Sequence, residues 1–238
     1  MLDALLDAVD SGALEEEITV QALEVIKEVT LIWNLKYWTE IDAGGYYWYS
    51  ESPNDNIECV NITAKMAGSF ARVLQHCKFT AEQEKLIKEN ISLALNRVVE
   101  LAYYDEEHCL VWKYLTRANS SPNDAIHHTF ILEGIKSYEE AMGQDIIFGD
   151  DEMLEYIEKC VDKAGSPFAK IYSYPDFEHN KAFDCGAIPL LEDVALKGTL
   201  IRNAYKQYVE EQETDTRQLS FLLYAMADYI SETTLKYD

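Results

Sequence analysis

An internal repeat constrains the fold of this chain more than any other feature. An aromatic run, a Ser-Pro-Asn-Asp tetrapeptide and an apolar segment with a small, close-packing face follow one another twice. The first copy is Trp48-Tyr49, Ser52-Pro53-Asn54-Asp55 and Thr63 to Gly68; the second is Trp112-Lys113-Tyr114, Ser121-Pro122-Asn123-Asp124 and Thr129 to Gly134. A weaker third copy is readable in Ile171-Tyr172-Ser173-Tyr174-Pro175-Asp176 and the apolar run Ala182 to Ile188. Repeats of this kind imply stacked helical hairpins, none of which buries its apolar face alone.

Helix signals dominate the rest of the sequence. Thr80 to Gln83 reads as a capping box, and Leu86, Ile87, Ile91, Leu95, Val98 and Val99 follow at helical spacing. Each Ser-Pro-Asn-Asp should also open a helix or helical turn, with Ser capping, Pro in the first position and Asp at the positive end of the dipole. Helices are expected at 2–10, 15–41, 57–77, 80–104, 122–141, 150–163, 183–197, 199–211 and 215–235, with strand-like alternation nearly absent. The segments 42–52, 105–121 and 165–181 are long and rich in Tyr, Trp and Asp, whereas the connection at Lys78-Phe79 is short. That alternation places the long loops at one end of an all-α array closed into a partial ring. No Gly-, Ser- or Pro-rich linker divides the chain, so 1–238 is expected to be a single domain.

Among 238 residues, 43 are acidic and 20 basic, for a net charge of −23. With no Lys/Arg cluster, this disfavours nucleic acids and anionic membranes as partners, and suits a partner with a basic face. The hydrophobic share of 48% excludes wholesale disorder. No long uncharged apolar run occurs, and the acidic start MLDALLDAVD is unlike a signal peptide, so a soluble, cytoplasmic protein is expected. Five scattered cysteines offer neither a disulfide framework nor a zinc site; Cys185 is the one to test for reactivity.

The runs Gly44 to Tyr49, Asn61 to Leu74, Val111 to Tyr114, Asn123 to Tyr138 and Phe183 to Ile188 resemble the α/α-toroid superfamily of glycan-processing proteins over about positions 44–197. Within that superfamily the runs resemble glucuronyl C5-epimerase-like and capsule-biosynthesis toroid domains. The resemblance implies a toroid of helical hairpins and a role as epimerase, lyase, glycosidase or inactive scaffold.

Three constellations could carry chemistry. Asp124 shares a helical face with His127 and His128, so it can fix an imidazole tautomer for general acid or base work, with Asp184 as a further catalytic candidate. The same residues would equally make a helix cap and a packed histidine bonded to a carbonyl. Tyr46, Tyr47, Trp48, Tyr49, Trp112, Tyr114, Tyr172 and Tyr174 supply ring faces for stacking on sugars, for anchoring a protein, or for plugging the ring's axis. Asp55 with Asp124, or either with Asp184, could form a carboxylate pair, although capping explains Asp55 and Asp124 as well. Glu133, inside the apolar run FILEGI, is either at a helix edge or buried with a partner. Metal and cofactor are not expected: adjacent helical histidines diverge by about 100°, and no H-x3-H or H-E-x2-H spacing occurs.

Two functional readings follow. In one, the chain binds or processes a saccharide or a sugar-containing small molecule by acid/base chemistry. In the other, it is an acidic immunity or inhibitor protein that binds a basic protein partner such as a toxin.

Overall fold

A computed structural model describes residues 2–42, 44–116, 122–144, 146, 148–162, 170–171, 185–210 and 216–234. The described structure is mostly helical. It forms two compact units, the first drawn from Met1–Ala102, Trp112–Ser121 and Phe130–Ile147, the second from Tyr103–Val111, Pro122–Thr129 and Phe148–Asp238. Helix α5 (Ala125–Met142) gives its first turn to the second unit and its remainder to the first, so no linker separates them in sequence.

The first unit contains α1 (Leu2–Asp10), α2 (Glu16–Lys36), the hairpin β1 (Trp38–Ile41) and β2 (Gly44–Tyr47), then α3 (Val60–His76) and α4 (Ala81–Glu100). The capping box of α4 is present, with Thr80 and Gln83 bonding reciprocally, and Ile87, Ile91, Leu95 and Val98 are buried. Ile87, Ile91 and Leu95 join Tyr47, Phe70 and Ala71 in one core. Each fully buried large aliphatic or aromatic side chain contributes about 1.5–3 kcal/mol.

Polar groups align α1 with α3. Asp3, Asp7 and Asp10 share a face of α1, and Lys65, Ser69 and Arg72 share a face of α3. Arg72 reaches Asp7 at 2.7 Å and Asp10 at 2.6 Å, while the Ser69 hydroxyl donates to Asp3 at 2.6 Å. Lys65 lies between Asp3 of α1, at 3.1 Å, and Glu133 of α5, at 2.7 Å. Glu133 therefore takes the partnered alternative, half-buried against a lysine.

Beside this cluster the repeat shows its purpose. A Cβ at Gly68 would fall inside van der Waals distance of the Gly134 carbonyl, and one at Gly134 inside that of the Ala64 carbonyl. The repeated Thr-x4-Gly thus marks where the backbones of α3 and α5 touch.

The expected helix 15–41 stops at Lys36. Trp38–Ile41 instead pairs antiparallel with Gly44–Tyr47, because Gly45 lets the Trp38 indole lie against its backbone and Gly44 adopts φ 142°. Two further ribbons appear where strands were not expected: β3 (Tyr103–Tyr104) with β4 (Leu110–Val111), and β5 (Val161–Asp162) with β6 (Lys170–Ile171). The first Ser-Pro-Asn-Asp opens only a 3-10 turn, Pro53–Asp55, with the Ser52 hydroxyl accepting from Asn54 N. Helix α3 starts later, at Val60.

In the second unit, α6 (Asp150–Lys159) ends where Val161 enters β5. The expected helix 183–197 divides into a 3-10 stretch, Cys185–Leu190, and α7 (Val194–Tyr205). Pro189 limits the first part, and Asp193 caps the second by accepting from Ala195 N and Leu196 N. A π-helical turn, Lys206–Glu210, prolongs α7, and α8 (Thr216–Thr234) packs on it. Buried Lys197 of α7 meets Asp228 at 3.2 Å and Glu232 at 3.0 Å, both on α8.

Gly68→Ala and Gly134→Ala are each expected to lower stability by about 1–3 kcal/mol, despite the ~1 kcal/mol helix-propensity gain. Gly149→Ala, with open space around it, should change it by less than about 1 kcal/mol. Denaturant unfolding of the three variants checks this.

Candidate functional site

Asp124 caps α5. Its Oδ1 accepts from the His127 backbone N at 2.9 Å and lies 2.5 Å from His127 Nδ1. Burial works to raise the Asp124 pKa. Hydrogen bonds from the His127 ring and amide, with the charges of His127 and Arg217, outweigh it and hold the carboxyl below its ordinary value of 3.8. An ionised carboxylate only accepts, so Nδ1 of His127 carries the hydrogen in this contact. The His127 side chain is 25% exposed and that of Asp124 36%, so solvent reaches the pair.

His128, one position on, has the opposite fate. It is fully buried, its Nε2 donates to the Met153 carbonyl at 3.1 Å, and its ring packs 4.7 Å from the Tyr156 ring. The Tyr156 hydroxyl in turn donates to the Asn123 carbonyl at 2.5 Å. Burial pushes the His128 pKa down to about 4, so the ring is neutral at physiological pH. As a catalytic candidate His128 is corrected: it fastens the first turn of α5 to α6 and exchanges no proton near pH 7.

Sequence reasoning missed Arg217 and Asn123. Arg217 lies on α8, and no linear spacing connects it with Asp124. The Asn123 carboxamide is buried and has no hydrogen-bond partner among the described residues. Cys185 is also fully buried, its backbone N donating to Gln218 Oε1 at 3.1 Å. The remaining candidates Asp184, Tyr172 and Tyr174 lie outside the described residues.

In the first unit the aromatic candidates divide. Tyr47 is fully buried, with its hydroxyl on Asn34 Oδ1 at 3.1 Å and its ring edge-on to Phe70. Trp112 is fully buried too, donating Nε1–H to the Val98 carbonyl at 2.8 Å. Both are corrected from substrate-binding to core residues, since neither presents a ring face to solvent. Trp48 is half-buried, bonded to Thr39 and tilted against Tyr37, while Tyr49 is 47% exposed. Tyr46 donates to Asn56 Oδ1 at 2.9 Å.

Half-buried Tyr114 hydrogen-bonds the Cys59 thiol, and an antiparallel bridge pairs Cys59, just before α3, with Leu115. Burial pushes that thiol up to about 11, which leaves it inert. Asp55 Oδ2 accepts from the Ser50 hydroxyl at 2.5 Å and steadies its own turn. Arg97 of α4 grips Glu58 through two nitrogens, at 2.5 and 3.1 Å, and so fastens the segment to the core. A separate cleft of about 220 Å³, bordered by Asn96, Tyr138 and Gln144, contains none of the sequence-predicted site residues.

No group of three or more potential ligands that could hold a metal ion occurs among the described residues. No described helix is long and apolar enough to cross a membrane.

Trp112→Ala should cost about 3–5 kcal/mol, as loss of a fully buried aromatic does. His128 gives a pH signature. Its folded pKa of about 4 lies below the ordinary 6.5, so the unfolded state binds more protons between those values. Its contribution to stability is complete above pH 6.5 and falls by ~3 kcal/mol as the pH drops to about 4. Unfolding free energies of wild type and His128→Gln measured across that interval should lose their difference in slope only if His128 is not the group responsible. Comparison of the chain with protein-family models, curated proteins and solved structures finds no match.

Proposed function

We propose that the chain is a carbohydrate-acting protein of the α/α-toroid kind, in which His127 is the general acid or base and Asp124 sets its tautomer. The observation that carries this reading is the 2.5 Å contact between Asp124 Oδ1 and His127 Nδ1 on a solvent-reached helix start. A carboxylate on one ring nitrogen directs proton exchange to the other, which is what proton transfer on a sugar carbon or oxygen requires. In the first unit, taken by itself, the exposed or half-buried rings of Trp48, Tyr49 and Tyr114 offer faces on which a sugar could stack.

Two features of the first unit support the toroid reading. Its helix pairs α1–α2 and α3–α4 are each joined by a short connection, and a long segment bearing the β1–β2 ribbon follows the first pair. In addition α1, α3 and α5, the leading helices of successive pairs, meet through Lys65 and at the glycine contact, as an inner layer of hairpins would. The substrate class is then a saccharide or sugar-containing small molecule, handled by epimerase, lyase or glycosidase chemistry.

Binding and turnover should be screened on a panel of neutral and uronate-containing oligosaccharides by calorimetry and by NMR of the sugar. Once a ligand is found, His127→Gln should keep stability within about 1 kcal/mol and retain binding while turnover falls by about 10²–10⁴. Asp124→Asn, which preserves the cap but removes the charge, should reduce turnover in the same direction. Turnover of His127→Gln at the wild-type rate, or absence of binding across the panel at millimolar sugar, rejects the reading.

A further inference from the structure

Helix α2 buries polar side chains and exposes apolar ones. Thr30 and Asn34 lie on its packed face at 0% and 3% exposure, while Ile18, Val25, Ile32 and Leu35 are 46%, 50%, 38% and 67% exposed. Ile18, Val25 and Ile32 recur every seven residues and so form one stripe about 21 Å long, drifting only ~20° per heptad. One edge of the stripe runs into the packed face through half-buried Val29 and buried Ala22. The other edge is acidic: Glu17, Glu24 and Glu28 are rotated from the stripe by roughly 60–100° along its length. Lys27 borders that edge three residues after Glu24, with its ammonium 5.6 Å from the centre of the Phe79 ring.

We propose that this stripe is the docking surface for an amphipathic helix of a partner protein, with an apolar seam flanked by Lys and Arg. A seven-residue apolar spacing is the spacing that a second helix reads, with its own side chains seated between successive turns. The acidic border, on a chain of net charge −23, selects a basic flank and steers it toward the stripe. A second copy of this chain fits poorly. Two-fold antiparallel pairing of α2 through the stripe would lay the acidic edge of one chain along the acidic edge of the other. This inference is independent of the saccharide reading and survives its failure.

The probes are two synthetic 18-residue helical peptides with leucine at the seam positions, one flanked by Lys and the other by Glu. Binding is followed by fluorescence anisotropy at 50 and 500 mM NaCl, with melting curves for every variant. The Lys peptide should bind wild type, more weakly at the higher salt, and the Glu peptide should not. The double variant Val25→Ser/Ile32→Ser, at exposed positions, should melt as wild type does and bind the Lys peptide at least tenfold more weakly. Glu24→Lys/Glu28→Lys should move the preference to the Glu peptide. Unchanged affinity in the serine variant, or equal binding of the two peptides to wild type, overturns the proposal. So does sedimentation showing a wild-type dimer that the serine variant dissolves, because the occupant is then a second copy.

Discussion

Where Gly68 of α3 meets Gly134 of α5, two helix backbones come into contact, and the rest of the first unit is arranged around that approach. Only residues without a Cβ allow it, so the two glycines set the interaxial distance. That distance brings Lys65 to Glu133, and the same ammonium extends to Asp3. Burial opposes the charge on Lys65, but Glu133 and Asp3 outweigh it and hold the lysine pKa above its ordinary value. The cluster is therefore ionised and satisfied, and it fixes which faces of α1, α3 and α5 meet. Its net contribution to stability is smaller than its contribution to registry, because desolvation offsets much of the attraction.

A second polar group sets the rotation of α2. Asn34 accepts from the Tyr47 hydroxyl, and the Asn90 amide donates to both the Asn34 side-chain oxygen and its backbone carbonyl, each at 3.1 Å. That carbonyl belongs to the last turn of the helix, where no intrahelical donor remains. Satisfying it in the core turns Asn34 and Thr30 inward and leaves the Ile18, Val25 and Ile32 edge outside. The exposed stripe is thus a consequence of a buried hydrogen-bond network rather than of loose packing.

At the start of α5, two adjacent histidines serve different masters. The hydrogen bond from His128 to Met153 and its packing on Tyr156 hold the first helical turn to α6. That anchoring keeps the neighbouring His127 ring beside its own cap residue, Asp124. The half-exposed pair depends on the buried histidine for position, and the buried histidine depends on its neutrality for stability.

Local rules were legible in the sequence because they act over at most four residues. The capping box of Thr80 and Gln83, the apolar period of α4 and the all-helical class follow from backbone donors and side-chain spacing within single segments. That Asp124 can reach an imidazole of the His127-His128 pair was legible for the same reason, though not which of the two it would hold. The repeat announced Gly68 and Gly134 as special positions, though not that they face each other. Burial and partnership were not legible, since they depend on contacts between distant segments. Identical Ser-Pro-Asn-Asp sequences leave Asn54 exposed and Asn123 buried, and neighbouring aromatic positions leave Tyr49 in solvent and Tyr47 in the core. Trp38–Ile41 became a strand because Gly44 and Gly45 made room for the Trp38 ring, a long-range packing choice that no helical period of α2 could register. The sequence by itself determined where most of the helices lie and how α4 is capped. Only the tertiary structure decided which of its aromatic and ionisable side chains reach solvent, because a side chain's chemistry is set by what packs against it.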